Sequence, residues 1–441
     1  MNLCPIVNEH GISKRLSEIQ YDDLVQLEDY DEGYVAEFKS TFDKSVKHEL
    51  PRIISSFANA QGGWIFVGIS DNGEVVNIER TRSDFSQTVG QLVQSCVTPV
   101  PKLETRFVHP NEDLNYGVLV IEVMEGFTPP YICRGRVTYR VCSNSVSEHI
   151  VDADARILLE LNGKARRFKE ELNDFRKRTI YYPPSSVYEG VPRFELPIFD
   201  VYVKALYSRS NGIVPIEEIS RLRNTVSSAF KETFEEQCIF QDSVNSFIAR
   251  SRVVNSTDDA AFALQMYYDG SFKLYVPLDI LQGNRFEDAL SVVESATALS
   301  NIELASFIDG VGSFSSVLAL GKIADYLIDK MPEYFRSRDY SICAEFESTQ
   351  GFMLYSDNKY YAPYIAKHGI PFFGSLDSRT FDVFLSSLDD NEGDTVLGFM
   401  FRQFSSACGL PFMSSDPQLR YEASRMLLGD EIDRVPDIDE L

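Results

Sequence analysis

Several marks of common protein classes are missing from this chain. No apolar run approaches the roughly 20 residues that a membrane-spanning helix needs, and the opening MNLCPIVNEH has neither the basic stretch nor the apolar core of a secretion signal. A cytoplasmic protein with no membrane partner is expected. Paired cysteines are missing too. The seven cysteines stand singly at 4, 96, 133, 142, 238, 343 and 408 with no Cys-x-x-Cys, which argues against a disulfide framework and a zinc ribbon. Cys133, Cys142 and His149 supply only three ligands, at a spacing that fits no ordinary zinc module. No Gly-x-x-x-x-Gly-Lys-Ser/Thr occurs, so Gly310-Val311-Gly312-Ser313 and Gly321-Lys322 do not make an ATP-hydrolysing loop. Positive charge is scarce, with 42 Lys and Arg against 66 Asp and Glu and a formal charge of −24. Residues 1–165 hold 15 basic and 24 acidic residues and residues 166–441 hold 27 and 42. Neither part is a basic module, so a nucleic-acid partner has to be gripped through a local patch, and the acidic remainder limits nonspecific association.

What the chain does have is apolar material for more than one core. It has 441 residues, 44% of them hydrophobic, with 31 Phe and 22 Tyr, and this length suggests two globular domains. The most informative stretch runs from Glu32 to Gly73. Tyr34, Ala36 and Phe38 alternate with Val35, Glu37 and Lys39, so an extended segment puts Glu37 and Lys39 on one face. Leu50, Ile53, Ile54 and Phe57 have the spacing of an amphipathic helix, with Pro51 best placed in its first turn. Asn59, Gln61, Gly62 and Gly63 stop that helix. The apolar run Trp64 to Ile69 reads as a strand buried on both faces, and Asp71-Asn72-Gly73 is a turn after which Glu74 to Ile78 resumes as strand. A sheet edge carrying Glu32, Glu37 and Asp71 would gather three carboxylates, hard oxygen ligands that suit Mg²⁺ or Mn²⁺. Lys39 beside them suits a phosphate.

At these residues the sequence resembles the Alba-like (AlbA_2) domain of the Schlafen family. The pattern is Glu32, Glu37-Phe38-Lys39, Phe57-Ala58-Asn59, Gly62-Gly63 and Gly68-Ile69-Ser70-Asp71, in register over about forty residues. A second block, Pro129-Pro130-Tyr131 followed by Thr138-Tyr139-Arg140-Val141, is also similar, although Cys142 replaces the family's glycine before Ser143-Asn144-Ser145. The resemblance implies a metal-dependent site of Glu32, Glu37 and Asp71 with Lys39 as a further catalytic residue, cutting structured RNA, notably transfer RNA, in a defence or stress role. It also implies a homo-oligomer. Lys39, Arg134, Arg136 and Arg140 form the local basic set for phosphate contact. A non-catalytic nucleic-acid-binding regulator is the alternative, in which Glu37 and Lys39 form only a structural pair. An assembly protein with no nucleic-acid partner fits the net charge.

The expected organisation is α+β throughout. A lead-in occupies 1–30, the Alba-like mixed sheet with its helices 31–163, a connector 164–195, and a second α+β domain with an acidic tail 196–441. Asp84 or Ser83 caps a helix through Cys96, and strands follow at 104–108 and 116–123. A hairpin lies around Arg134-Gly135-Arg136, and a helix from Asp152 breaks at Asn162-Gly163. Residues 164–178 make a charged helix, and 181–192 read as the linker. In the second domain, Asp269-Gly270 turns a hairpin between 262–267 and 272–276. Helices are expected at 216–236, 287–299 and 317–328, and strands at 342–346 and 352–355.

Overall fold

The computed structural model describes residues 4–9, 11, 13–30, 32–80, 84–141, 149–176, 197–206, 214–235, 238–250, 263–297, 306–337, 339–374, 383–386 and 395–430. It divides into two compact units, 1–174 and 175–441. Cys142, Ser143-Asn144-Ser145, the expected linker at 181–192 and the expected tail after 430 lie outside the described residues.

Unit 1 contains, in order, β1 (Ala36–Lys39), α1 (Lys44–Asn59), β2 (Gly63–Val67), β3 (Ile78–Glu79), α2 (Phe85–Cys96), β4 (Val97–Thr98), β5 (Leu103–Val108), β6 (Tyr116–Val123), β7 (Ile132–Cys133), β8 (Arg136–Arg140), β9 (Ile150–Asp152) and α3 (Ala155–Arg176). Among the described residues, β1, β2, β3, β5 and β6 make a mixed sheet. β2 lies between parallel β1 and antiparallel β6, which leaves β1 at the edge. Both faces of β2 are buried, as its unbroken apolar run requires. Ile65 and Val67 pack with Leu50, Ile53, Ile54 and Phe57 of α1. Trp64 and Phe66 pack on the other side with Leu16, Ile19, Leu24 and Leu27. Leu16, Ile19, Leu24 and Leu27 are therefore more than a lead-in, because they form part of a buried core with the sheet. β4, β7, β8 and β9 form a second small sheet.

Two local expectations are corrected. Pro51 is not in the first turn of its helix but inside it. α1 starts earlier, at Lys44, because the Asp43 carboxylate accepts hydrogen bonds from the N–H groups of Ser45 and Val46 at 2.8 and 3.0 Å. The second correction concerns Asn162-Gly163, where α3 continues unbroken. A mid-helix glycine costs about 1 kcal/mol, and contacts on either side of it outweigh that. Leu161 is buried, Lys164 donates to the Ala60 carbonyl at 2.7 Å and pairs with Glu125 at 2.7 Å, and Phe168 stacks on Phe127 at 4.6 Å.

Unit 2 continues with β10 (Ile198–Ala205), α4 (Ile216–Phe234), β11 (Ile239–Ser243), β12 (Ser246–Arg250), β13 (Ala263–Tyr267), β14 (Phe272–Pro277), α5 (Asn284–Thr297), β15 (Ser306–Asp309), α6 (Gly310–Lys330), β16 (Asp339–Glu347), β17 (Phe352–Tyr355), α7 (Tyr361–His368), β18 (Val383–Ser386), α8 (Val396–Ala407) and α9 (Pro417–Leu428). Its main sheet runs β11-β12-β13-β14-β10-β16-β18, and neighbouring strands are antiparallel. The expected Asp269-Gly270 hairpin is present, with Leu264 opposite Leu274. Mixed helices and strands in both units bear out the α+β class. α6 reaches 21 residues and is apolar enough to cross a membrane by length and composition. Its Phe314, Val317, Leu320, Ile323 and Leu327 are instead fully buried in the core of unit 2. At the start of α6, Asp309 Oδ1 accepts from the N–H groups of Val311 and Gly312, both at 3.1 Å. The N–H groups of Val311 and Gly312 in the Gly310-Val311-Gly312-Ser313 run therefore face a carboxylate from their own chain, the opposite of a phosphate cradle.

Asp325 of α6 caps α8 from the side, accepting from Val396 N–H at 2.7 Å and Leu397 N–H at 3.2 Å. Burial, only partly offset by these bonds, pushes its pKa up to about 6. A raised carboxyl pKa makes the folded state hold the proton longer than the unfolded chain does, so stability is highest below pH 4 and falls as pH rises toward 6, by about 3 kcal/mol for this group. Asp325→Asn keeps an acceptor without the charge. Chemical denaturation from pH 4 to 7 should show a flatter profile for this variant and no loss of stability at pH 7.

Candidate functional site

The alternation along β1 sends Phe38 into the core beneath Trp64 and Phe66 and turns Glu37 and Lys39 to the α1 side. There Lys39 Nζ meets Glu37 Oε1 at 2.8 Å. The other oxygen, Glu37 Oε2, accepts from Arg140 Nη2 at 2.5 Å. Arg140, at the end of β8, is wholly buried. Its Nε donates to the Gly33 carbonyl at 3.0 Å, and its guanidinium lies over the Phe57 ring, 4.0 Å from the centroid. Glu32 turns back on the strand, and its Oε1 accepts the Phe38 N–H at the open edge of β1. Asp71 is exposed in the turn after β2. Gly73 closes that turn with a φ of +81°, and a Cβ there would sit 2.1 Å from the Leu27 carbonyl oxygen.

The electrostatics tie these groups together. Burial raises the pKa of Glu32, the Phe38 N–H opposes that, and the negative charges of Glu37 and Asp71 raise it further. For Lys39, burial acts to lower the pKa, but the charge and hydrogen bond of Glu37, aided by Glu32 and Glu49, outweigh it and leave the ammonium more firmly protonated than usual. Glu32, Glu37 and Asp71 thus share one neighbourhood, with Lys39 among them. They are not drawn into one ligand set, since among the described residues no group of three or more His, Cys, Asp or Glu is gathered closely enough to hold a metal ion. In kind the donors fit a hard divalent cation. Glu32 and Asp71 keep open oxygens, and each oxygen of Glu37 retains a second acceptor position.

The three arginines expected to contact phosphate part company. Arg140 is corrected, because a side chain buried beneath β1 and engaged by Glu37 and Gly33 presents nothing to a phosphate. Arg134 is exposed and fixed to α1, with Nη1 2.9 Å from His48 Nε2 and 3.1 Å from the His48 carbonyl. Arg136 is exposed beside Asp152 at 3.5 Å.

Residues whose sequence context indicated only a local structural role support the site. Asn59 is a brace, donating to the carbonyls of Tyr131 and Thr138 at 2.9 and 2.8 Å and accepting the Tyr131 N–H at 2.7 Å. Phe57 is the seat of Arg140. Gly63 is required by Phe57, because a Cβ on it would lie 1.9 Å from the ring. The Phe-Ala-Asn and Gly-Gly pieces of the pattern were the available signal for all three.

Residues 32–148 match the family model Schlafen, AlbA_2. Unit 1 carries a Schlafen AlbA_2 domain. Curated relatives of this domain include Poxin-Schlafen of Monkeypox virus, 28% identical over 101 residues, and Poxin-Schlafen of Cowpox virus, 33% identical over 108 residues. Each match takes in 22% of this chain and 20% of the relative, so the chain spans about a fifth of the length of these proteins. Among solved structures, a Corynebacterium diphtheriae protein matches at 15% identity with a TM-score of 0.22, over 45% of this chain and 30% of the other. Over these residues the similarity suggests a nuclease-like family.

Because Phe57 fills the space a side chain at 63 would need, Gly63→Ala should destabilise unit 1 by about 1–3 kcal/mol. Adding Phe57→Leu to Gly63→Ala should recover part of that loss. Urea denaturation of the two variants checks both statements.

Proposed function

We propose that the protein is a divalent-metal-dependent endoribonuclease acting on structured RNA, with transfer RNA as the substrate class. The observation that carries this reading is the juxtaposition of Glu37, Lys39 and Asp71 around Glu32 at the open edge of an AlbA_2 sheet. Glu32, Glu37 and Asp71 would hold Mg²⁺ or Mn²⁺, which supplies a Lewis acid that lowers the pKa of water and offsets charge on the leaving oxygen. Lys39, kept protonated by its acidic neighbours, binds the scissile phosphate and balances the charge that develops there. Arg134 and Arg136 lie on the exposed hairpin and serve as phosphate contacts that position the strand. A regulator that binds without cutting is favoured by a different observation, namely that both oxygens of Glu37 are already engaged by Lys39 and Arg140.

Incubation with total RNA and with DNA, each in Mg²⁺, Mn²⁺ or EDTA, separates the two. Discrete RNA fragments that vanish in EDTA support the nuclease. Asp71→Ala should then lower cleavage by about a hundredfold or more while RNA affinity stays within about threefold, because the phosphate contacts persist. Lys39→Ala should weaken binding and cleavage together, with a difference from wild type that shrinks as salt rises. Binding in Mn²⁺ without any cleavage would make the regulator the correct reading.

A further inference from the structure

The interior of unit 1 holds a charge that packing alone does not require. Arg140 is fully buried, and burial pulls its pKa down although Glu37 and Glu32 act to restore it. Its Nη1 has no hydrogen-bond partner among the described residues. A buried guanidinium with an unmet donor is costly. Methionine has similar length and could cover Phe57 without that cost. The charge is kept for what the other two nitrogens hold, Glu37 Oε2 and the Gly33 carbonyl.

We infer that Arg140 is the positioning residue of the site, clamping Glu37 from the interior and, through Glu37, fixing the ammonium of Lys39. The Nη2 bond and the Lys39 bond engage the two oxygens of Glu37 from opposite partners, which leaves its carboxylate a single orientation. The Nε bond to Gly33 pins the backbone immediately after Glu32. One side chain therefore sets both glutamates. Phe57 sets the plane of the guanidinium, and the bare Cα of Gly63 makes room for the ring. Lysine cannot reproduce the arrangement, because a single ammonium lacks the planar fork that reaches both acceptors while stacking on a ring. The catalytic consequence of the clamp rests on the nuclease reading, whereas the clamp itself does not.

A double-mutant cycle on the full chain tests it, using Arg140→Met, Glu37→Gln and the two together, read as thermal unfolding midpoints. Glu37→Gln leaves the buried Arg140 without its carboxylate and Arg140→Met leaves Glu37 with Lys39 alone, so each should lower the midpoint, and the double variant should lose clearly less than the sum of the two. Additive losses would overturn the clamp. Should Arg140→Met alone not fold, recovery of folding in the double variant supports the clamp and continued failure overturns it. Cleavage kinetics of Arg140→Lys supply the second readout. Positioning predicts a kcat lowered about tenfold or more with KM within about twofold. A raised KM with unchanged kcat, or no change at all, would overturn the assignment. If the wild-type protein cuts no RNA, the nuclease reading fails and the unfolding cycle still decides the clamp.

Discussion

The ion pair between Arg140 and Glu37, seated on the ring of Phe57, is the constraint around which unit 1 is arranged. It joins four elements. Glu37 comes from β1, Arg140 from β8, Phe57 from α1, and the glycine that admits the ring opens β2. An ion pair removed from water is stable only when its geometry is tightly held, and here the holding is done by close packing around it. Asn59, the last residue of α1, ties that helix to the hairpin through three hydrogen bonds. The hairpin therefore cannot drift and take Arg140 with it.

Charge balance follows from the same arrangement. Glu32, Glu37 and Asp71 would repel each other if they stood alone, and the pKa of Glu32 is raised first by burial and then by the charges of Glu37 and Asp71. Lys39 and the buried Arg140 oppose that repulsion, both through Glu37. A chain with a formal charge of −24 thus presents a locally moderated edge, where the Lys39 ammonium stands beside the carboxylates. Long-range repulsion from the rest of the surface disfavours indiscriminate binding of polyanions.

Unit 2 shows a different use of polar burial. Its sheet turns Phe199, Val201, Leu274 and Ile342 into the main core, while the alternate positions on the same strands include Asp200, Tyr202 and Lys273, which are also buried. Burial together with Glu347 and Glu345 raises the Asp200 pKa well above the ordinary carboxylate range, and the Lys273 ammonium lies over the rings of Phe175, Tyr202 and Tyr267. Cation–aromatic contact of this kind stabilises a charge that has lost its water.

Periodicity made most elements of both units legible in the sequence. The alternation at 34–39, the helical spacing from Leu50 to Phe57, the unbroken apolar run at 64–69 and the Asp269-Gly270 turn each encode local structure, because side-chain direction repeats every 2 or 3.6 residues whatever the partner. The Schlafen pattern likewise placed Glu32, Glu37, Lys39 and Asp71 in one neighbourhood, and spacing alone put Glu37 and Lys39 on one face. Tertiary structure decided what lies between distant segments. Nothing local to Arg140 says whether a strand-end arginine faces water or a phenyl ring 83 positions earlier in the chain, since that depends on β8 crossing α1. Nothing local to Gly163 says that Leu161 and Lys164 will find partners strong enough to carry a helix through a glycine. The first thirty residues look like a preface because their apolar spacing is sparse, and they become core only where β1 and β2 offer Phe38, Trp64 and Phe66 to cover. Local periodicity chooses the elements, and the burial of charge and of apolar surface between remote elements chooses their partners.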